Sequence, residues 1–503
     1  MNGVKKLKSE STELPDCVIS HIFSMLTLKN LVKTSALSKQ WYHEWGLRKD
    51  LNFDHHNILD YNRIPKLPKT LPHFQQIQSQ FATSLDNFMQ KYSGDTISSI
   101  RVKFPLGADH TYAIDGLIHK AVLKGANRIE LLFAYETHLK IEPYKFLFPF
   151  LPGRNSLTYL HLQNCHIAAT MEFSGLENLR TLVCTLVPVE QNMLQNLCFN
   201  CIRLENFTLN ECEFLSDLEI TSPTLLHLNI DCSSTSATRT ESRNINITAS
   251  NLLSIEYTSK DIYFSHRLHI LSINSPMLSK LTYTCAKLFN LESSRLTNVT
   301  TIVLYGLFLD YDIAHLFSKC LQLEDVTINL CRFTRDLKII SAKLRRLRII
   351  HCHRVTFRSC KIDIHALNLS SFEYRDFKKM RSMISIEAPK LLKVFWDAGF
   401  NMINIYNFAT IARLPHPENL ATPSLPQPEN FPMHMSLSQI SELIKKYLVQ
   451  SRKLDELELY IAGAYNPNMD YFWILDIAMP SQHLQKLSLI IRNGDTKISH
   501  ING

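Results

Sequence analysis

The chain has 503 residues, too many for one compact core, so a small domain followed by an extended one is expected. Hydrophobic residues make up 45% and charged residues 20%, which is the composition of a folded protein and excludes a disordered one. The net charge of +8 permits an acidic partner without requiring one, and only thirteen glycines argue against glycine-rich phosphate loops.

The sequence carries no signal-peptide pattern and no run of roughly 18 to 20 apolar residues that could span a bilayer. We therefore expect no membrane partner and a location in the cytoplasm, the nucleus or both. Thiols stay reduced in those compartments, so the twelve cysteines are expected to be buried and not paired in disulfides.

Residues 12–50 contain three short segments with helical periodicity, and Asp16 and Thr27 can cap the first two. Domains this small rarely bury many large side chains among themselves, so the segment either caps the next domain or docks onto a partner. The apolar residues recur at intervals of three and four: Val18, Ile19, Ile22, Phe23 and Leu26, then Leu28, Leu31 and Val32, then Leu37, Trp41 and Trp45.

The stretch LPDCVISHIFSMLTLKNLVKTSALSKQWYHEW, which begins at Leu14, resembles the F-box of plant F-box proteins with leucine-rich repeats. The Leu-Pro-Asp start, the Ile-x-x-Ile-Phe helix and the Leu-Ser-Lys-x-Trp-x-x-x-Trp ending match together. The resemblance implies binding to a Skp-family adaptor and, through it, to a cullin. Some of the matching residues must instead hold the helices together. Those that would face the adaptor are Leu14, Pro15, Ile19, Ile22, Leu26, Val32, Leu37 and Trp41.

After a proline-containing linker at 51–80, the pattern apolar-x-x-apolar-x-apolar recurs over 81–411 and beyond, as in the strand half of a leucine-rich repeat. Most steps are 21 to 31 residues, but the step from Leu391 to Leu454 is 63 and leaves room for degenerate repeats. An amphipathic helix with Phe81 and Leu85 is expected to shield the end of the stack. The first positions are Ile97, Ala126, Leu157, Leu179, Leu204, Leu225, Leu252, Leu278, Val299, Leu323, Leu344, Leu369, Leu391, Leu454 and Leu484.

The middle of the repeat region is expected to be rich in strands. Pro223, Pro276 and Pro389 each lie two residues before a first position, and alternating stretches at 218–220, 271–273 and 384–386 precede them. The predicted fold class is α/β: a three-helix F-box, then a curved leucine-rich-repeat solenoid that is β-rich in its middle, with few regular convex helices.

Two carboxy-terminal segments have separate interpretations. Six prolines between Pro415 and Pro432 predict a loop at 412–433, either solvated or a peptide ligand for another protein. Residues 434–503 resemble the FBD-type terminal region of plant F-box proteins and are interpreted as terminal repeats.

No motif for catalysis or phosphate binding occurs, so we expect a non-enzymatic protein without a cofactor. His351-Cys352-His353 suggests a metal site, but Cys352, like Cys165, Cys212 and Cys331, falls eight residues after a first position, where burial is expected. Cys198-x-x-Cys201 lacks the second pair that a zinc site needs.

The third, fifth and seventh residues of each pattern are expected on the inner face of the solenoid. They include nine basic and eight acidic residues, a balance that argues against nucleic acid as a partner. Arginine and aromatic residues favour protein interfaces and cluster late in the repeats. We interpret this cluster as the patch that binds a target protein: Arg346, Arg348, Glu373, Arg375, Lys393, Phe395 and Asp397.

The sequence thus predicts the substrate-recognition subunit of an SCF-type (Skp-cullin-F-box) ubiquitin ligase, with the target on the inner face of the repeats. Two alternatives stay open. Some plant relatives of this architecture close a hormone pocket on the solenoid, which would make the chain a ligand-dependent co-receptor. The repeats could also serve as a binding scaffold independent of the ligase.

Overall fold

The computed structural model divides the chain into an amino-terminal unit, Met1–Leu218, and a carboxy-terminal unit, Glu219–Gly503. The residues that it describes are 18, 21–22, 25–34, 48–59, 71–133, 141–147, 156–167, 173, 175–232, 244–259, 270–284, 296–309, 313–333, 336–354, 360–375, 382–388, 390, 393–397, 456–462, 486–492 and 498–502.

The amino-terminal unit contains a parallel ladder of six inner strands, ordered β1-β2-β3-β5-β7-β9. Its elements are α1 (Leu28–Thr34), β1 (Asp50–Asp54), α2 (His55–Ile58), α3 (Leu71–Lys91), β2 (Ser99–Lys103), α4 (Thr111–Leu123), β3 (Arg128–Leu132), β4 (Tyr144–Phe146), β5 (Tyr159–Gln163), β6 (Cys165–Ile167), β7 (Thr181–Thr185), β8 (Pro188–Val189), α5 (Gln191–Asn200), β9 (Asn206–Asn210) and β10 (Glu213–Phe214).

The carboxy-terminal unit continues the same pattern after β11 (Leu218–Thr221). Its elements are β12 (His227–Asp231), β13 (Asn244–Thr248), β14 (Ser254–Thr258), β15 (Ile270–Asn274), β16 (Lys280–Thr284), β17 (Thr301–Tyr305), β18 (Phe308–Leu309), α6 (Ile313–Lys319), β19 (Asp325–Asn329), β20 (Arg332–Phe333), β21 (Leu337–Ile340), β22 (Arg346–Ile350), β23 (His353–Arg354), β24 (Cys360–His365), β25 (Ser371–Arg375), β26 (Ser382–Glu387), β27 (Lys393–Asp397), β28 (Glu456–Ala462), β29 (Lys486–Arg492) and β30 (Ile498–Asn502).

The inner strands of the carboxy-terminal unit run parallel in the order β12-β14-β16-β17-β19-β22-β25-β27-β28-β29. The last strand, β30, pairs with β29 in the antiparallel direction. Across both units, each of the fifteen predicted first positions is followed two residues later by the start of an inner strand. The predicted fold class is confirmed.

The apolar pattern determines the fold because its three positions form the core. In the repeat that holds β22, Leu344, Leu347 and Ile349 are fully buried, and the residues between them point away from the core. Each repeat buries these side chains only against its neighbours, so the register of one strand determines that of the next.

The interpretation of residues 51–80 as a linker is wrong for most of that segment. β1 pairs with β2 and adds a repeat ahead of the first predicted one. Arg48 occupies the position where the other repeats carry an apolar residue, which is why the pattern did not include it. The residues at 60–70 lie outside the described part of the chain.

The helix that contains Phe81 and Leu85 begins at Leu71 and connects β1 to β2. Its prediction as a shield for the end of the stack is wrong, since β1 precedes it and it belongs to the first repeat. Phe81 stacks on Phe104 with ring centroids 4.2 Å apart, and Phe88 meets Phe53 of β1 edge to face at 5.3 Å.

On the outer side, strands replace helices in the carboxy-terminal unit, as the prolines indicated. The stretches at 218–220, 271–273 and 384–386 are strands, and β13–β15 and β21–β24–β26 form outer parallel ladders. The described residues of this unit contain one helix, the seven-residue α6.

A side-chain ladder, not predicted from the sequence, joins successive outer turns of the carboxy-terminal unit. Asn251 donates its amide to the carbonyl oxygen of Pro223 at 2.7 Å, and Asn298 donates to Pro276 at 2.6 Å. Asn368 donates to Ala342 at 2.6 Å. Each asparagine directly precedes a first position, so it ties its turn to the same place in the preceding repeat.

Across the long step between Leu391 and Leu454, β27 pairs directly with β28, so no described strand lies between them in the ladder. The degenerate repeats for which this step leaves room would fall at 398–455, outside the described residues, so that expectation stays a prediction. The proline-rich segment 412–433 falls within this step and lies outside the described residues.

Candidate binding surfaces

The described helix of the amino-terminal segment, α1, is partly packed on its own chain. In α1, Leu28 and Leu31 are buried, and the helix contacts β1 and α2. Thr27 caps it as predicted, since its hydroxyl accepts a hydrogen bond from the Asn30 amide at 3.3 Å. Because these two leucines are used internally, a partner can meet only the exposed side chains of the segment.

Three apolar side chains of the amino-terminal segment are exposed. Met25 is 68% exposed, and Val18 and Val32 are each 39% exposed. Val32 was among the residues predicted to face an adaptor, whereas Val18 and Met25 were not. Exposed apolar side chains within a segment of this kind are candidates for contact with a partner.

The other predicted adaptor residues divide into two groups. Ile22 and Leu26 are described and half-buried. The remaining five lie outside the described residues: Leu14, Pro15, Ile19, Leu37 and Trp41.

Arg48 connects these helices to the first repeat. Its guanidinium donates to the Leu26 carbonyl oxygen, which precedes α1, and also to the Asp50 carbonyl oxygen at 2.9 Å. Tyr92 donates its hydroxyl to the carbonyl oxygen of Arg48 at 2.7 Å. Burial lowers the pKa of Arg48, and burial raises the pKa of Tyr92 to about 12.

On the inner face of the carboxy-terminal unit, Asp325 of β19 holds two arginines of β22. Its carboxylate lies 3.1 Å from Arg346 Nη1 and 3.3 Å from Arg348 Nη2. The two strands pair with Asp325 opposite Arg346. Asp325 was not assigned to the predicted patch, although it is the residue that organises the arginines.

The patch extends onto the next strand. Arg348 lies opposite Glu373 of β25, and Glu373 forms an ion pair with Arg375 at 2.6 Å. Beyond β25, strand β27 places Lys393, Phe395 and Asp397 at the register positions next to Ser371, Glu373 and Arg375. The predicted residues thus fall on three consecutive strands of one ladder.

A second charged cluster lies on the inner face of the amino-terminal unit. Glu130 is nearly buried, 2.6 Å from Arg128 and 3.4 Å from Arg101. Arg128 stacks over the Tyr159 ring at 3.6 Å. Burial lowers the pKa of His161 beside them, so this histidine is neutral at pH 7. The cluster resembles a satisfied structural network, because its one carboxylate is held by both arginines.

Nine of the described cysteines are free thiols, and burial raises the pKa of Cys165 and Cys352 well above the ordinary range. No group of three or more metal-ligating side chains converges in the part of the chain that the structure describes. Among the described helices, none has the length and apolar character needed to cross a membrane.

A short amino-terminal helical segment followed by stacked leucine-rich repeats is the architecture of F-box/LRR proteins. The F-box domain family matches residues 11–49, and the family described as "At1g61320/AtMIF1, LRR domain" matches residues 88–307 and 290–503. The second match covers more than half of the chain, so the chain belongs to this leucine-rich-repeat family, and it carries an F-box.

Curated proteins of Arabidopsis thaliana are similar to parts of the chain. F-box protein At3g59000 is 27% identical over 225 residues, 43% of each chain. F-box/FBD/LRR-repeat protein At1g13570 is 24% identical, over 44% of this chain and 48% of its own length. F-box/LRR-repeat protein 13 is 23% identical, over 43% and 44%. The chain thus spans about half the length of these relatives.

Proposed function

We propose that the protein is the substrate-recognition subunit of an SCF-type ubiquitin ligase. Its F-box binds a Skp-family adaptor and thereby a cullin, its repeats hold a target protein, and the chain itself does no chemistry. The proposal implies a location in the cytoplasm, the nucleus or both.

The observation that carries this proposal is the exposure of apolar side chains in the F-box segment. Leu28 and Leu31 of α1 are buried within the chain, so these two side chains cannot meet a partner. Met25, Val18 and Val32 remain exposed to water. Fully burying such a side chain contributes about 1.5–3 kcal/mol, so a partner that covers the exposed fractions of all three gains substantially.

The repeats supply the second binding surface. Arg346, Arg348 and Arg375 lie on β22 and β25, and the exposed Tyr305 lies on β17, two strands before β22 in the same ladder. Arginine and tyrosine are the residues that most often dominate protein interfaces. The family's F-box/LRR architecture, which generally serves as a non-catalytic adaptor, supports the same division of roles.

Co-precipitation of the full chain with a purified Skp-family adaptor tests the F-box role. The double variant Val18→Glu/Val32→Glu places two charges at exposed apolar positions of the segment. It should weaken adaptor binding by about tenfold or more, which corresponds to about 1.4 kcal/mol. Leu14→Ala/Pro15→Ala should have a similar effect, since the resemblance places both residues at the adaptor.

The matched control is Ile340→Glu/Leu367→Glu, which makes the same change at two exposed apolar residues of the carboxy-terminal unit. It should leave adaptor binding intact. Equal binding by the wild-type chain and both F-box double variants would refute the docking role.

A further inference from the structure

The arginine patch contains one buried donor that its own carboxylates do not meet. Arg346 and Arg348 pair with Asp325, Arg375 pairs with Glu373, and Asp397 lies opposite Arg375 in the strand register. Each guanidinium carries five N–H donors. The Arg348 Nε is buried and has no hydrogen-bond partner among the described residues. A buried donor without a partner is uncommon in a folded protein and calls for an explanation, of which a bound group is one.

The carboxylates lie beneath the arginines and orient them. The Arg346 side chain is 57% exposed, whereas that of Asp325 is 21% exposed. Arg375 and Glu373 differ in the same direction. The patch therefore presents guanidinium groups at its surface with one net positive charge. Exposed ion pairs of this kind stabilise a fold only slightly, so exchanging one anionic partner for another costs little.

The spacing of the arginines matches an extended chain. Arg346 and Arg348 are alternate residues of β22, and both point to the inner face, which places their backbones about 7 Å apart. Alternate side chains of an extended peptide have the same spacing. Arg375 lies on the paired strand β25, opposite Ile350. A peptide that runs along β22 could therefore bring two anionic groups to Arg346 and Arg348 and a third to Arg375.

We propose that β22 and β25 recognise an extended anionic segment of the target, with carboxylate or phosphate groups at alternate positions bound by Arg346, Arg348 and Arg375. This inference rests on the proposed function, because it assigns the chemistry of the target to the receptor surface. A guanidinium group binds either a carboxylate or a phosphate through two parallel hydrogen bonds. Nucleic acid fits less well, since the inner-face positions of the repeats, those of β1 included, hold nine basic and ten acidic residues.

Fluorescence anisotropy with the full chain and three labelled peptides of equal length tests this. The first carries glutamate at alternate positions, the second phosphoserine and the third glutamine. At least one of the two anionic peptides should bind at least about tenfold more tightly than the glutamine peptide. Which of the two binds more tightly shows whether the site prefers carboxylate or phosphate. The double variant Arg346→Gln/Arg348→Gln should weaken the binding of that peptide about tenfold.

The matched control is Arg101→Gln/Lys103→Gln, which removes two positive charges from the inner face of the amino-terminal unit. It should change the affinity by less than about twofold, because neither residue belongs to β22 or β25. The single variant Arg346→Gln, at the most exposed arginine of the patch, should reproduce part of the loss with an unchanged thermal midpoint.

Three results would overturn the inference: equal binding of all three peptides, equal losses from both double variants, or tighter binding of single-stranded RNA through the same arginines. Adaptor co-precipitation with the same proteins separates the two proposals. An Arg346→Gln/Arg348→Gln chain that still binds the adaptor but not the peptide supports both. If the wild-type chain binds the adaptor but neither anionic peptide, the proposed function stands and this inference is wrong.

Discussion

The Arg48 guanidinium donates a hydrogen bond to the carbonyl oxygen of Leu26, and this contact joins the F-box to the first leucine-rich repeat. Arg48 occupies the repeat position that carries a buried apolar residue elsewhere in the chain. Arg48 thus makes polar contacts at a position where the other repeats have a packed apolar side chain. The Arg48 side chain therefore helps to hold the F-box segment against the first repeat, alongside the buried Leu28 and Leu31.

We expect Arg48→Met to loosen α1 while leaving the first repeat folded. Methionine retains the apolar stem but loses the donors, and a hydrogen bond to a charged group contributes about 1.5–3 kcal/mol. Hydrogen exchange of the amides at 28–34 should accelerate accordingly. Lys49→Met, a change at the exposed neighbour, should leave exchange unaltered. Equal exchange in both variants and the wild type would show that Arg48 does not hold the helix.

Leu330 is expected to be a site where substitution stabilises the protein. It has a φ of 53° and is exposed, and a left-handed conformation costs a residue with a Cβ about 1–2 kcal/mol. The equivalent turn after β5 uses Asn164 at the same φ. Leu330→Asn should raise the free energy of unfolding by about 0.5–1 kcal/mol, measured by urea denaturation, since asparagine tolerates this region.

Leu330→Ala is the control for that prediction. Alanine removes the same exposed apolar surface but keeps the strained conformation, so it should give no gain. If alanine and asparagine shift the urea midpoint equally, backbone strain at Leu330 is not the cause.

The buried thiols should resist alkylation in the native protein. Burial raises the pKa of Cys201 and of Cys320 to about 12, so at pH 8 only about one in ten thousand of either is a thiolate. The half-buried Cys198 and Cys232 should therefore react with iodoacetamide first, as followed by peptide mass spectrometry.

Unfolding in urea supplies the control, because all four thiols should then react at similar rates. The raised pKa values of Cys201 and Cys320 also make the free energy of unfolding depend on pH. The folded state holds these thiol protons more tightly than the unfolded state, so the stabilisation is fully present below about pH 9 and is lost as the pH rises toward 12. Equal native reactivity of Cys201 and Cys198 would contradict the assignment.

The positions of the inner strands could be predicted because each repeat encodes its own buried residues locally. The spacing of Leu344, Leu347 and Ile349 is enough to locate β22 in the sequence. The same logic failed at β1, where Arg48 replaces the apolar residue and only pairing with β2 reveals the repeat. The start of α3 was missed because its first turns, near Leu71, follow a proline-rich stretch that resembles a linker.

The binding patch was predicted only in part, since its organisation depends on contacts between strands. Arg346, Arg348 and Arg375 were chosen by residue type, but the role of Asp325 follows from its distances to two arginines on the next strand. The asparagine ladder did leave a signal in the sequence. Asn251, Asn298 and Asn368 each directly precede a first position, a recurrence visible once the repeats are aligned.

The direct pairing of β27 with β28 has a consequence for how the chain folds. Most neighbouring inner strands have first positions 21 to 31 residues apart, whereas those of β27 and β28 are 63 residues apart. Closing a longer loop costs more entropy, by about 0.6 kcal/mol for each doubling of its length, and contacts between distant residues form slowly. Strands β28 to β30 should therefore join the ladder after the earlier repeats have formed, which makes this junction the kinetic boundary of the repeat region.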